Sequence, residues 1–87
     1  MARYELRFKA SVAKDLRGLP QAEVRRILTR IDGLRADPRG PGCEKLAGGT
    51  ELYRVRQGRY RIVYRIRDAV LVVEVVRVGH RGEIYRV

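Results

Sequence analysis

The chain has 87 residues, which is enough for one modest hydrophobic core and too few for two, so residues 1–87 are interpreted as a single domain. Apolar residues make up 45% of the chain, which excludes a disordered tail. Twenty basic residues, nearly all of them Arg, stand against ten acidic ones, and the resulting net charge of +10 points to a polyanionic partner such as nucleic acid or an acidic protein segment.

Other features of the composition narrow the class of protein further. Cys43 is the only cysteine, so an intramolecular disulfide is impossible, and no Cys/His cluster suggests a metal site or a cofactor. No apolar run approaches the roughly 18 residues of a membrane span. The sequence therefore predicts a soluble cytoplasmic protein without a membrane partner.

The first half of the chain reads as a strand followed by two helices. Tyr4 to Phe8 alternate apolar and polar residues, which is the period of a half-buried strand. Ser11 is a candidate cap for a short helix that presents Ala13 and Leu16 inward, and Pro20 suits the first turn of a second helix. That second helix carries one apolar stripe, made of Val24, Ile27, Leu28, Ile31 and Leu34. A Pro/Gly-rich loop follows it.

The second half predicts an antiparallel sheet. Residues 52–57, 60–67 and 69–78 read as three strands joined by short turns near Gly58 and Asp68, which favours a meander. The third strand is almost continuously apolar, so we expect it to be central and buried on both faces. Residues 83–87 could add a short final strand. The pattern predicts an α+β fold in which an N-terminal strand and a helical hairpin pack on one face of an antiparallel, mostly meander sheet.

The alternation of residues in the meander separates an apolar face from a basic one. Six arginines lie between residues 52 and 68, although like charges on neighbouring strands repel one another. Tyr53 and Val55 point to the face that we assign to the helices, whereas Arg54 and Arg56 point to the open face. Arg61 and two further arginines of the next strand extend that basic face. A simply solvated surface is the alternative interpretation, but few acidic residues interrupt these arginines, so we expect an anionic partner.

Four segments of the second half stand in a distinctive order and spacing: "KLAG" at 45–48, "YRVR" at 53–56, "GRYRIVY" at 58–64 and "RVGHRGEIY" at 77–85. In this order and spacing the chain resembles the RelE toxins of the RelE/ParE superfamily of type II toxin–antitoxin systems. The opening "RYELRFKASVAKDLRGLP" fits the family's first strand and helix, so the resemblance covers essentially the whole chain. It implies a RelE-like fold.

The resemblance also implies a function. It implies a ribosome-dependent endoribonuclease that cleaves mRNA in the ribosomal A site and so inhibits translation. The implied partners are the ribosome, mRNA and a cognate RelB-like antitoxin, in a hetero-oligomer that binds operator DNA through the antitoxin. The positions that match the family's active site are Arg54, Arg56, Arg61, Arg81 and Tyr85, with arginines at 54 and 56 where the best-known members carry lysines.

These residue types suit RNA cleavage by attack of a 2′-hydroxyl on the adjacent phosphate. Arg61 and Arg81 could stabilise charge in the transition state, Arg54 and Arg56 could hold the phosphate, and Tyr85 could stack on a base or donate a proton. His80 is a weaker candidate for a base, because a turn position explains it equally well. Glu51 and Glu83 could also be a base, but cross-strand pairing with Arg is the favoured interpretation of both. The residues predicted to bind RNA around this set are Arg59, Arg65, Arg67, Arg77 and His80.

The sequence alone leaves two alternative functions open. ParE-like members of the same superfamily inhibit DNA gyrase without cutting RNA, and fold alone does not fix function. A basic sheet could also bind nucleic acid without any chemistry, in which case binding would be salt-sensitive and no cleavage would follow.

Overall fold

The computed structural model describes residues 3–46 and 51–80 as two helices on one face of a five-stranded sheet. The strands are β1 (Glu5–Phe8), β2 (Glu44–Lys45), β3 (Leu52–Gln57), β4 (Tyr60–Arg67) and β5 (Val72–His80), and the helices are α1 (Ala10–Arg17) and α2 (Gln21–Gly33). The strand order is β1-β5-β4-β3-β2. The predicted α+β class and the meander of β3, β4 and β5 are confirmed.

The sheet is antiparallel except at one edge, where β1 runs parallel to β5. The connection from β1 to β5 includes both helices, which is the crossover that a parallel pair requires. β5 extends beyond the end of β1, and there the backbone N–H of Val78 donates a hydrogen bond to the Asp15 carboxylate of α1 at 3.0 Å. A side chain of the helical layer thus accepts a hydrogen bond from β5 beyond the end of β1.

The core lies between the helices and the inner face of the sheet. Ile27 and Ile31 of α2 are fully buried against Ile62 and Tyr64 of β4 and Val75 of β5, as the strand alternation predicts. Residue-level predictions for the helices were partly wrong. Ser11 lies inside α1, which begins after Lys9. Val12 faces the core in place of Ala13, and Leu28 is 41% exposed because it lies on the outer edge of the α2 stripe.

Three details of the strands also differ from the prediction. The loop after α2 contains the short edge strand β2. The turn between β4 and β5 is longer than expected, since a 3₁₀ turn spans Asp68–Val70 and Leu71 has a positive φ of 52°. β5 is an interior strand, paired with β1 and β4, but its open face is not fully buried, because Glu74 is partly exposed there and Arg77 is exposed. Residues 83–87, predicted as a final strand, lie outside the described residues.

An ion-pair cluster around Asp68 holds together the end of the sheet farthest from the β3–β4 turn. Arg39 donates two hydrogen bonds to the Asp68 carboxylate, at 3.1 and 2.7 Å, and the Tyr4 hydroxyl donates a third at 2.7 Å. The bonds from Arg39, and then that from Tyr4, lower the pKa of Asp68 from 3.8 to about 2. The cluster therefore links the segment before β1, the loop after α2 and the turn before β5.

The depressed pKa of Asp68 predicts a pH-dependent contribution to stability. The folded pKa lies below the unfolded value, so the contribution is present above about pH 4 and is lost as the pH falls towards 2. We expect Asp68→Asn to melt at a lower temperature than wild type at pH 7, with the difference closing between pH 4 and 2. Thermal unfolding followed by circular dichroism measures this, with Asp32→Asn as the control for loss of an exposed carboxylate. A difference that stays constant over that range would contradict the prediction.

Candidate active site

Three arginines of the basic face converge at the end of the sheet where β3 turns into β4. Gly58 begins this turn with a positive φ of 61°, which suits glycine in a two-residue hairpin. The register places Arg56 directly opposite Arg61 and Arg54 opposite Val63. Like charges at directly opposed positions are destabilising. The fold therefore tolerates an unfavourable pair at Arg56 and Arg61, two of the positions predicted to be catalytic.

The three arginines line a cleft of about 190 Å³, which we call the arginine cleft. The other lining residues are Gly42, Glu44 and Val55. Glu44 on β2 is opposite Arg54, and its carboxylate lies 3.2 Å from an Arg54 guanidinium nitrogen. One carboxylate faces three guanidinium groups, so the cleft keeps a net positive charge and suits a phosphate group.

Arg61 differs from the other arginines in its burial. Its side chain is 6% exposed, and it is the one charged residue in 3–46 and 51–80 that is buried. The sequence placed Arg61 on an open basic face, and its burial departs from that expectation. A guanidinium held in a low-dielectric setting interacts more strongly with an anion than one in water, so Arg61 is the member of the cleft best suited to act on charge that develops at a phosphate.

One wall of the cleft is formed at Gly42 by the loop that follows α2. The buried hydroxyl of Tyr64 donates to the Pro38 carbonyl at 2.7 Å and lies 2.8 Å from the Cys43 sulfur. Burial, with the Cys43 contact second, raises the pKa of Tyr64, so its hydroxyl stays protonated and remains a donor. Arg30 of α2 donates to the Pro41 carbonyl at 2.9 Å, and Gly42 has a φ of +85° that favours glycine. These contacts fix the loop beside Glu44.

Removal of the Tyr64 hydroxyl should loosen this wall. Tyr64→Phe leaves the buried Pro38 carbonyl without its hydrogen bond, and such a loss costs about 1–3 kcal/mol. We expect the free energy of unfolding, measured by urea denaturation, to fall by that amount. Tyr60→Phe on the same strand is the matched control, since Tyr60 is only partly buried and its ring packs edge-on against His80. Equal stability of the two variants would contradict the role assigned to Tyr64.

The remaining residues predicted to bind RNA are spread over the sheet. Arg65 and Arg67 lie towards the far end of β4, and both face Glu74, with nitrogen–oxygen distances of 3.7 and 3.5 Å. Their charge is therefore partly neutralised, contrary to the expectation that acidic residues hardly interrupt the basic face. Arg59 is exposed in the turn beside the cleft, and Arg77 is exposed on β5 opposite Val63.

His80 ends the described part of β5 at the same end of the sheet as the cleft. It is opposite Tyr60, with ring centroids 5.8 Å apart in an edge-on arrangement, and Gly79 beside it pairs with Arg61. Arg81 and Tyr85, predicted as catalytic, lie outside the described residues, as does Glu83. Among the site residues that the sequence predicted, the structure therefore brings together Arg54, Arg56 and Arg61.

Sequence reasoning missed Gly42 and Glu44 as parts of the site. Both lie in a Pro/Gly-rich stretch that gave no strand signal, and only the pairing of β2 with β3 places Glu44 next to Arg54. Residues 3–46 and 51–80 contain no group of three or more His, Cys, Asp or Glu side chains that could hold a metal ion. None of the helices in this part of the chain is long and apolar enough to cross a membrane.

The fold and the cleft together define a small α+β domain with an arginine-lined cleft on an open sheet. Residues 6–85 match the sequence model of the ParE toxin of type II toxin–antitoxin systems. The chain is 34% identical over 86 residues to Toxin RelG of Mycobacterium tuberculosis, an alignment that covers 95% of this chain and 97% of RelG. The chain therefore belongs to the RelE/ParE superfamily of type II toxins.

Solved structures of RelE proteins have the same fold. In the RelE–RelB complex of Pyrococcus horikoshii, the matched chain is 32% identical with a TM-score of 0.81, covering 93% of this chain and 98% of that one. In the RelBE2 toxin–antitoxin complex of M. tuberculosis, the matched chain is 29% identical with a TM-score of 0.84, covering 95% of this chain and 97% of that one. The RelE-like fold expected from the sequence is thus confirmed.

Proposed function

We propose that this type II toxin is a ribosome-dependent endoribonuclease that cleaves mRNA in the ribosomal A site. The observation that carries the proposal is the arginine cleft, in which the buried Arg61 lies opposite Arg56 and next to Arg54. Three guanidinium groups that line one cleft supply several N–H donors to a single phosphate, which supports an RNA substrate. Similarity to RelE structures supports the same class of activity.

The cleft suits cleavage through the RNA's own 2′-hydroxyl. The 2′-oxygen attacks the adjacent phosphorus, the bond from phosphorus to the 5′-oxygen breaks, and the products are a 2′,3′-cyclic phosphate and a 5′-hydroxyl. Arg54 and Arg56 hold the phosphate, and Arg61 stabilises the negative charge that grows on its oxygens. Arg81 and Tyr85 remain in the proposed catalytic set on the basis of the sequence, as a second charge donor and a stacking group.

The cleft offers few side chains that could accept or donate a proton during the reaction. An arginine is already protonated at neutral pH and cannot accept another proton, and the cleft holds one carboxylate, Glu44, already paired with Arg54. Such a site gains most of its rate from orientation of the reacting groups. A substrate held and bent by the ribosome provides that orientation, which is why we propose ribosome dependence.

We also propose that a cognate antitoxin of the RelB kind controls the toxin. The related RelE protein of Pyrococcus horikoshii forms a complex with RelB. The net charge of +10 here suits a partner with an acidic segment that covers the basic face. The proposed complex is a hetero-oligomer in the cytoplasm that binds operator DNA through the antitoxin.

Primer extension on ribosomes programmed with a defined mRNA tests the proposed activity. We expect cuts within the A-site codon when toxin and ribosomes are both present and no cuts in the same RNA without ribosomes. Residues 6–85 match the ParE toxin family, and a ParE-like protein would inhibit gyrase. The same preparation is therefore assayed for inhibition of gyrase supercoiling. Gyrase inhibition without RNA cleavage would replace our proposal with a ParE-like function, and RNA binding without either activity would leave a binding module.

A further inference from the structure

A second basic groove lies on the helical side of the molecule, outside the arginine cleft. It has a volume of about 390 Å³ and runs along α2 beside the end of β3. The lining residues are Arg25, Arg26, Thr29, Arg30, Gly33 and Gln57. We call it the α2 groove. Three of these residues are arginines. None of the three belongs to the hydrophobic core or lines the arginine cleft.

The charges of the α2 groove are poorly explained by folding alone. Arg26 and Arg30 are four residues apart on α2, a spacing at which like charges destabilise a helix. Arg26 is paired with Glu23 at 2.6 Å and Arg30 with the Pro41 carbonyl. Arg25 is exposed and makes no ion pair within residues 3–46 and 51–80. An anionic partner would stabilise this arrangement.

The α2 groove adjoins the arginine cleft through one short backbone segment. Arg30 lines the groove and bonds to Pro41, while Gly42, the next residue, lines the cleft. A Cβ atom at Gly42 would lie only 3.2 Å from an Arg30 guanidinium nitrogen. The two basic sites are thus neighbours, so RNA in the cleft and RNA in the groove could belong to one assembly.

The residue types of the groove indicate the kind of RNA. Surfaces that bind single strands combine positive charge with aromatic rings on which bases stack. The described residues that line the α2 groove include no aromatic side chain. Arginine, threonine and glutamine are instead donors suited to phosphates and 2′-hydroxyls, which are the groups that proteins contact on double-helical RNA.

We infer that the α2 groove binds the phosphate backbone of double-helical ribosomal RNA and anchors the toxin on the ribosome. The inference rests on the proposed function and extends it by assigning ribosome affinity and catalysis to separate surfaces. Arg25 and Arg26 supply the contacts at the groove, and Arg30 joins the groove to the cleft wall. A change at Arg25 should therefore alter binding and leave the chemical step intact.

The test compares Arg25→Glu with Arg3→Glu, which makes the same charge change at an exposed position near the far end of the sheet. Binding is measured to ribosomes without messenger, to a short RNA duplex and to one unpaired strand of that duplex. We expect Arg25→Glu to weaken ribosome and duplex binding by about 10- to 100-fold. Single-strand binding and the cleavage rate at saturating toxin should match those of Arg3→Glu. Arg25→Gln, a milder change, should shift affinity in the same direction.

Several results would overturn the inference. If Arg25→Glu and Arg25→Gln bind duplex and ribosomes as Arg3→Glu does, or if wild type does not bind duplex RNA, the groove is not an RNA anchor. Equal losses for single strand and duplex would assign the groove to the messenger. Binding is measured separately from cleavage, so the two claims can fail independently. If wild type binds ribosomes and duplex RNA more tightly than Arg25→Glu but cuts no mRNA, the result supports the RNA anchor at the groove and refutes the proposed nuclease activity.

Discussion

Arg61→Ala is expected to lower the rate of messenger cleavage on programmed ribosomes by about 10²–10³ at saturating toxin, since this is the usual effect of removing one donor that stabilises transition-state charge. Arg61 is buried in the arginine cleft and lies opposite Arg56, so its guanidinium is preorganised. More toxin cannot restore the rate, because the loss affects the chemical step. On the basis of the sequence, Arg81→Ala should fall in the same range.

Arg67→Ala is the matched control for this experiment. Arg67 lies on the same strand but faces Glu74 at the far end of the sheet, so its removal should affect binding alone and be overcome by added protein. Because Arg61 is buried, the thermal unfolding of Arg61→Ala and Arg61→Lys is measured first. Cleavage by folded Arg61→Ala at the wild-type rate under saturation would show that the catalytic assignment is wrong.

The second large effect is expected at Arg54, where loss of the arginine and loss of its partner Glu44 should change RNA binding in opposite directions. Arg54→Ala removes a phosphate contact and should lower kcat/KM by about 10- to 100-fold, as hydrogen bonds to charged groups contribute about 1.5–3 kcal/mol. Glu44→Gln removes the carboxylate 3.2 Å from Arg54 and leaves the arginine in place. It should therefore tighten RNA binding.

Titration of ribosomes against each variant, with the initial cleavage rate as readout, separates the two outcomes. Glu44→Gln should show a lower KM than wild type, and Arg54→Ala a higher one. A Glu44→Gln variant that loses activity as severely as Arg54→Ala would mean that Glu44 positions Arg54 or accepts a proton, and the role given to Glu44 as a competing anion would then be wrong.

The sheet could be predicted from the sequence because its signals are local. Alternation in β3 and β4, with Gly58 between them, sets both the strand boundaries and the face of every side chain. Placement of Arg54, Arg56 and Arg61 at one end then follows from the hairpin register. The start of α1 was missed because Ser11 has the side chain of a cap, while the backbone at Lys9 makes the transition to helix.

The parts of the site that could not be predicted depend on contacts between distant segments. Arg61 and Arg65 lie on the same strand and face, yet one is buried and the other partly exposed and paired with Glu74. Alternation assigns a face but not the depth of a side chain within it. Glu44 reaches Arg54 only because a two-residue strand pairs with β3 after a Pro/Gly-rich loop, and no periodicity marks so short an element.

Cleavage through the messenger's 2′-hydroxyl on the ribosome is tested most directly by one modified nucleotide. Ribosomes are programmed with an mRNA that carries a single 2′-deoxynucleotide at the cleavage position, and the products are compared with those of the unmodified mRNA. We predict a cut that leaves a 2′,3′-cyclic phosphate in the unmodified mRNA, no cut at that position in the deoxy mRNA, and none in either RNA without ribosomes. Cleavage of the deoxy mRNA at the same rate, or the absence of any ribosome-dependent cut by the wild-type protein, would contradict the account.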